Sequence, residues 1–253
     1  MEFIVSYGMP YSGTTVFAKC LAKAIDGGTL NSRAEGVWEV QEVRPDQAEG
    51  LLKARWSPKT ELLDHSLIDY WKSIAAASGR NYIVEKSPPL MFHRETLKSL
   101  IPELREFVLL RDPIQIYLSS RKRQIIDGCR LRKRRKQLEL TTREWTESWC
   151  QVYLCRLDCL MQIYLDGVEL IVFDDFIKDP ETYLTGLKTL AGIPVEGVSS
   201  KLEVKGKEPE DIRSRDKNPD EWLSDWEYEL ITNSLNSSAA HNQLFNKSFA
   251  ISA

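Results

Sequence analysis

The stretch "EFIVSYGMPYSGTT", residues 2–15, constrains this 253-residue chain more than any other part of it. Glu2–Tyr7 is an apolar run with the length of a buried strand, and a glycine turn follows at once. Beyond Gly13, Val16, Phe17, Cys20, Leu21 and Ala24 recur at helical spacing, and Gly27-Gly28 stop the helix. Strand, glycine turn and helix in that order aim loop amides and the positive end of a helix dipole at one point. That is an anion cradle. Gly8 and Gly13 keep the spacing of the nucleotide-triphosphate loop G-x-x-x-x-G-K-[ST], but Thr14-Thr15 stand where its Lys and Ser/Thr belong. The plainer alternative is a tight strand-to-helix turn with no ligand.

The rest of the chain repeats the alternation. "NYIVEKSPP" (81–89), "EFVLLRDP" (106–113) and "ELIVFDDF" (169–176) read as strands, and "VWEVQEV" (37–43) as a further strand or an edge segment. Helical periodicity marks about 60–77 and about 142–165, and a helix is expected over 179–192. Asp112 and Pro113 suit the N-cap and first position of the helix after the third of these strands. Strands alternating with helices predict an α/β fold, three-layered and P-loop-like, with a central parallel sheet of about four to five strands flanked by helices. One domain is expected over residues 1–253. Residues 201–221 read as a charged mobile loop, Trp222–Ile231 as a last amphipathic helix, and 237–253 as a polar tail without a readable pattern.

Bulk properties remove several classes. A net charge of −3 carries no overall nucleic-acid signature. No apolar run reaches the ~18 residues of a membrane span, and the first residues enter the loop without a leader pattern. The five cysteines lack any C-x-x-C pair and read as reduced thiols, not as a disulfide frame or a zinc site. A cytoplasmic protein without membrane or specific nucleic-acid partners is expected.

A second anion site is predicted beside the first. Arg111 ends the apolar strand "EFVLL", at the edge where open α/β sheets bind ligands. Ser119, two turns into the following helix, faces the same edge. A structural role, pairing with a carboxylate, is the alternative for Arg111.

With these motifs assembled, the chain resembles the sulfotransferases that use 3′-phosphoadenosine 5′-phosphosulfate (PAPS). Pro10-Tyr11-Ser12-Gly13-Thr14-Thr15 is similar to their P-[KR]-S-G-T-T loop, which in the family wraps the 5′-phosphosulfate. Arg111-Asp112-Pro113 with Ser119 is similar to their second motif, which grips the 3′-phosphate. "EKSPP" resembles the strand-end lysine segment of bacterial and carbohydrate members, and "VFDDFIKDPETYLTGLKTLAGI" their late strand and helix. The resemblance spans about residues 2–193. It implies sulfuryl transfer from PAPS, leaving 3′,5′-adenosine bisphosphate (PAP), to a hydroxyl or amine of a small-molecule or sugar acceptor. A sulfuryl group carries less charge than a γ-phosphoryl, so neither the missing lysine nor a metal is required. The rival readings are a small-molecule kinase with a degenerate loop and a PAPS- or PAP-binding relative without turnover.

Two departures bear on catalysis. Tyr11 stands where the family carries Lys or Arg, so Lys86 is the candidate for the missing cation. The histidine base of the cytosolic small-molecule branch would fall two residues after Lys86, at Pro88. The resemblance therefore points to a carboxylate base as in the carbohydrate and tyrosylprotein branches, with Glu35 in "SRAEGVWEVQE" as first candidate, His93 second and Glu85 in reserve. Glu85 precedes Lys86 and should point to the opposite face of its strand. The basic run "RKRQIIDGCRLRKRRK" (121–136) is a solvated face, a funnel for the anionic donor or a clamp for an anionic acceptor. Arg213 and Arg215 occupy the region where the family brings a basic lid over the 3′-phosphate.

Overall fold

The computed structural model describes residues 1–130, 143–198, 201–202, 210–211, 218 and 223–251. Four strands, β1 (Glu2–Gly8), β2 (Tyr82–Glu85), β3 (Leu104–Leu110) and β4 (Glu169–Val172), form one sheet in the order β2-β1-β3-β4. Every neighbouring pair is parallel, with Val5 opposite Glu85, Gly8 opposite Leu109 and Leu110 opposite Val172. The chain leaves β1 toward β2 on one side, returns past β1 to β3, and continues outward to β4. The switch in direction lies between β1 and β3, and open α/β sheets bind ligands outside the strand C-termini at such a point.

The helices in chain order are α1 (Thr14–Ala24), α2 (Val40–Val43), α3 (Pro45–Ala54), α4 (His65–Ser78), α5 (Arg94–Leu100) and α6 (Pro113–Arg130). They continue as α7 (Arg143–Leu165), α8 (Phe173–Phe176), α9 (Pro180–Gly186), α10 (Asp225–Asn236) and α11 (Ala239–Ile251). Their ends follow local chemistry. The Asp64 carboxylate accepts from the Leu67 amide at 2.9 Å to start α4, and Gly79, at φ 69°, ends it in the left-handed region. Asp112 accepts from the Ile114 and Gln115 amides at 2.7 and 3.2 Å, so α6 begins at Pro113 as its sequence requires.

Alternation along the strands builds two cores. Phe3, Val5 and Tyr7 of β1, with Val108 and Leu110 of β3, pack under Trp71 of α4, Leu157 and Leu160 of α7 and Ile231 of α10. Ile4, Phe107, Leu109 and Ile171 point the other way, against Phe17 and Leu21 of α1 and Phe176 of α8. Phe17 meets Phe107 and Phe176 edge to face, at 5.9 and 5.3 Å between ring centres. Burying such a ring contributes about 2–3 kcal/mol.

Three expectations change. Residues 37–43 are not a strand: Gly36–Glu39 is a 3-10 turn that runs into α2. Val37, Val40 and Val43 recur every third residue, which is a helical spacing, and Val37 and Val40 are the buried pair. The tail contains α11, because the Ser238 hydroxyl caps the His241 amide at 3.2 Å and Ala240 and Leu244 bury one face. Within the expected loop, 201–202 pair antiparallel with 210–211; Arg213 and Arg215 lie outside the described residues, as do 131–136 of the basic run, whose first ten residues continue α6.

Candidate functional site

The loop after β1 is packed so closely that neither of its glycines has room for a side chain. A Cβ on Gly8 would lie 2.6 Å from Thr14 Cγ2 and 2.9 Å from Ser12 Oγ. Gly13 has φ 89°, and a Cβ there would fall 2.2 Å from the Phe173 ring. Ser12 is buried and closes the turn, donating from its hydroxyl and its amide to Met9 O at 2.7 and 3.1 Å. The helix it feeds begins at Thr14 with no side-chain cap and no acidic residue in its first turn. The first-turn amides therefore keep their donors for whatever occupies the loop. Thr14 is buried, Thr15 half-buried, and Tyr11 exposed at φ 69°.

Arg111 reaches this loop from the end of β3. Its Nη1 donates to Tyr11 O at 3.2 Å, and its guanidinium lies 5.2 Å over the Phe173 ring. Phe173 follows β4 directly, so one ring packs on both Gly13 and Arg111 and ties three strand ends together. The two anion elements read from sequence are thus neighbours across the switch point. Ser119 is half-buried on α6; its neighbour Ser120 returns its hydroxyl to Ile116 O at 2.9 Å, and Ser119 makes no such bond among the described residues.

One strand over, Lys86 Nζ forms an ion pair with Glu35 Oε1. Lys86 is only 3% exposed, although it is a lysine at a strand end. Glu35 is held from several sides. Its Oε2 accepts from Trp38 Nε1 at 2.6 Å, its amide donates to Asn31 Oδ1 at 3.1 Å, and its carbonyl accepts from Asn31 Nδ2 at 2.8 Å. Lys86 N donates to Ala34 O at 2.7 Å, which fixes the Glu35 turn to the end of β2.

Glu85 supports the same turn from beneath. It is fully buried, accepts from Gly36 N at 2.7 Å through Oε2, and accepts from the Ser87 hydroxyl through Oε1. Burial pushes its carboxyl up from 4.5 to about 8, against the opposing pull of Ser87, the Gly36 amide and Lys86. The folded chain therefore keeps a proton on Glu85 where the unfolded chain has released it. Stability tied to that proton is complete below about 4.5 and is lost as pH rises through about 8. Glu85→Gln, a permanent neutral amide, should flatten the stability curve across this window. We expect it to gain roughly 2–4 kcal/mol on the native chain between pH 5 and pH 9 in urea melts. A difference between the two chains that does not vary with pH would overturn this assignment.

His93 is placed differently from the two carboxylates. It precedes α5, is 4% exposed, and its Nε2 lies 2.8 Å from Arg55 O. Burial lowers its pKa, so the ring is held neutral against that carbonyl. An open depression of about 410 Å³ lies against α3, lined mainly by Ala48, Glu49, Leu52 and Lys53, and contains none of the strand-end groups.

Residues 3–197 match the model of the sulfotransferase family. The chain belongs to the sulfotransferase family. It is also similar to the "Sulfotransferase Domain from the Curacin Biosynthetic Pathway", at 17% identity over 76% of this chain and 74% of that one, with a TM-score of 0.46. A second solved structure, the "Sulfotransferase Domain from the Synechococcus PCC 7002 Olefin Synthase", shares 16% identity over 76% and 73% of the two chains, with a TM-score of 0.41. No curated protein matches. Among the described residues no His, Cys, Asp and Glu side chains gather as a metal site, and no helix is long and apolar enough to cross a membrane.

Sequence reasoning missed three contributors to this candidate site. Trp38 looked like a strand residue, yet its indole N–H holds Glu35. Phe173 looked like strand core, yet it packs on the loop glycine and on Arg111. Asn31 carried one signal that could have found it: an Asn four residues before Glu35 is a turn-former that bonds to nearby backbone.

Proposed function

We propose that this sulfotransferase-family chain transfers a sulfuryl group from PAPS to a hydroxyl or amine of a small-molecule or sugar acceptor, leaving PAP. The observation that carries this reading is the Arg111 guanidinium on the glycine loop, through Tyr11 O and Phe173. Those contacts support the reading because they hold a cation beside the loop amides that precede α1. Glycine at 8 and 13 supports a bound 5′-phosphosulfate, because only without a Cβ can the loop close this tightly on Thr14 and Phe173 and keep its amides for the anion. Arg111 and Ser119 would hold the 3′-phosphate.

PAPS supplies the sulfuryl group, and the protein's residues supply position, charge and a proton acceptor. Glu35 takes the proton of the acceptor hydroxyl as the new S–O bond forms. The bond from sulfur to the 5′-phosphate oxygen breaks, and its electron pair leaves on that oxygen. Lys86 and the amides of Ser12–Thr15 stabilise the developing charge. The ion pair couples the two events: a proton on Glu35 cancels its hold on Lys86 and frees the ammonium for the leaving oxygen. Tyr11 contributes at most a hydrogen bond, so Lys86 carries the role that the family usually gives to the residue before Ser-Gly-Thr-Thr.

Calorimetric titration with PAP, and with ADP with and without Mg²⁺, tests the reading. Micromolar PAP binding that ignores magnesium is expected. Magnesium-dependent ADP binding with PAP silent would sink it in favour of a kinase. PAP binding without transfer to any acceptor would mark a binding protein that has lost turnover.

A further inference from the structure

Beside Glu35, five side chains alternate guanidinium and indole. The Arg33 guanidinium lies 5.2 Å over the Trp38 ring, and Arg55 lies 5.5 Å from that ring and 6.0 Å from the Trp56 ring. Arg156, from α7, covers Trp56 at 3.9 Å. Phe92 backs Trp56 edge to face at 6.2 Å. The inner end of this ladder is Trp38, whose N–H is the 2.6 Å donor to Glu35 Oε2.

Three positive charges gather on these two indoles. None of the three forms an ion pair with a carboxylate among the described residues, in a chain whose net charge is −3. Arg55 donates to a neutral group, Leu52 O. Burial is the main cause that holds Arg156 below its ordinary pKa; Cys155 opposes it, and the charge of Arg55 adds a smaller push in the same direction. Arg33 is exposed and Arg55 and Arg156 half-buried, so solvent and solutes reach them. A guanidinium held over an indole face by cation–π attraction can still offer N–H donors to a phosphate, sulfate or carboxylate.

We propose that this ladder is the anion subsite of the acceptor: it holds a phosphate, sulfate or carboxylate group that the acceptor carries some bonds away from the hydroxyl presented to Glu35. The inference rests on the sulfuryl-transfer reading, and it narrows the substrate class to anionic hydroxy compounds. An oxyanion bridging Arg55 and Arg156 would relieve their repulsion, and the indoles would set a flat wall for the rest of the molecule. Neutral acceptors would forgo both gains.

The test uses glucose 6-phosphate as the anionic hydroxy probe and glucose as its neutral counterpart, each titrated into protein saturated with PAP so that the donor site is closed. Saturable binding of glucose 6-phosphate at least tenfold tighter than glucose is expected. The Arg55→Met/Arg156→Met chain should lose that preference at least tenfold while its PAP affinity stays unchanged. Should the double variant misfold, Arg33→Met, at an exposed position, is expected to lose severalfold. Equal binding of the two sugars, or a preference untouched by these variants, would overturn the proposal. PAP binding in the same samples separates the failures. A silent PAP titration with glucose 6-phosphate still captured sinks the donor reading and leaves an anion site. Bound PAP without any phosphate preference sinks the subsite alone.

Discussion

Replacing Glu35 by Gln should slow sulfuryl transfer by about 10²- to 10⁴-fold while PAP affinity stays within about threefold, because a general base acts on the acceptor's proton and not on the donor. Transfer of label from ³⁵S-PAPS to a panel of alcohols and sugars measures the first, and calorimetry the second. The substitution also leaves Lys86, 3% exposed, without the carboxylate it pairs with. Removing one member of such a pair destabilises more than the pair itself contributes. Since the Glu35 side chain is 23% exposed, we expect a loss of about 1–3 kcal/mol, less than for a fully buried pair. Glu35→Gln/Lys86→Met should recover most of that stability and none of the turnover. A Glu35→Gln enzyme with native rate would sink the base assignment and leave Glu35 as the anchor of Lys86 alone.

Arg111→Ala should weaken PAP binding by about 100-fold, the size expected when charge-assisted hydrogen bonds to a phosphate are lost. Two effects combine. The cation disappears, and so does the bond to Tyr11 O and the stacking on Phe173 that hold the loop against the end of β3. Arg111→Lys separates them. It keeps the charge but neither the planar fork nor the stacking, and an intermediate loss of about tenfold is expected. Calorimetry on the three chains decides it; an Ala variant within threefold of native would remove Arg111 from the donor site.

The same residues show why some of this site was legible in the chain and some was not. Gly8, Gly13 and the Thr14 start of α1 are local features: each is dictated by neighbours within a few positions, and each stands where its pattern puts it. Arg111 could be placed because an apolar strand ends immediately before it. Val37–Val43 misled because β-branched residues favour strands, while their spacing of three allowed a helical turn once Gly36 packed under Trp71. Asparagine and serine made the tail look featureless, although Ser238 with Ala240 and Leu244 starts a helix there.

What the sequence by itself determined was the parallel α/β order, the glycine turn between β1 and α1 and the cation ending β3, since hydrophobic period and turn chemistry are written along the chain. Only the tertiary structure decided that Lys86 is buried against Glu35, that Glu85 lies beneath the Glu35 turn, and that Arg33, Arg55 and Arg156 share two indoles. These partners are up to 123 positions apart, as with Arg33 and Arg156. No local pattern encodes such meetings. They follow from the parallel register, which brings the ends of β1, β2 and β3 to one edge, and from the packing of α3 and α7 around it.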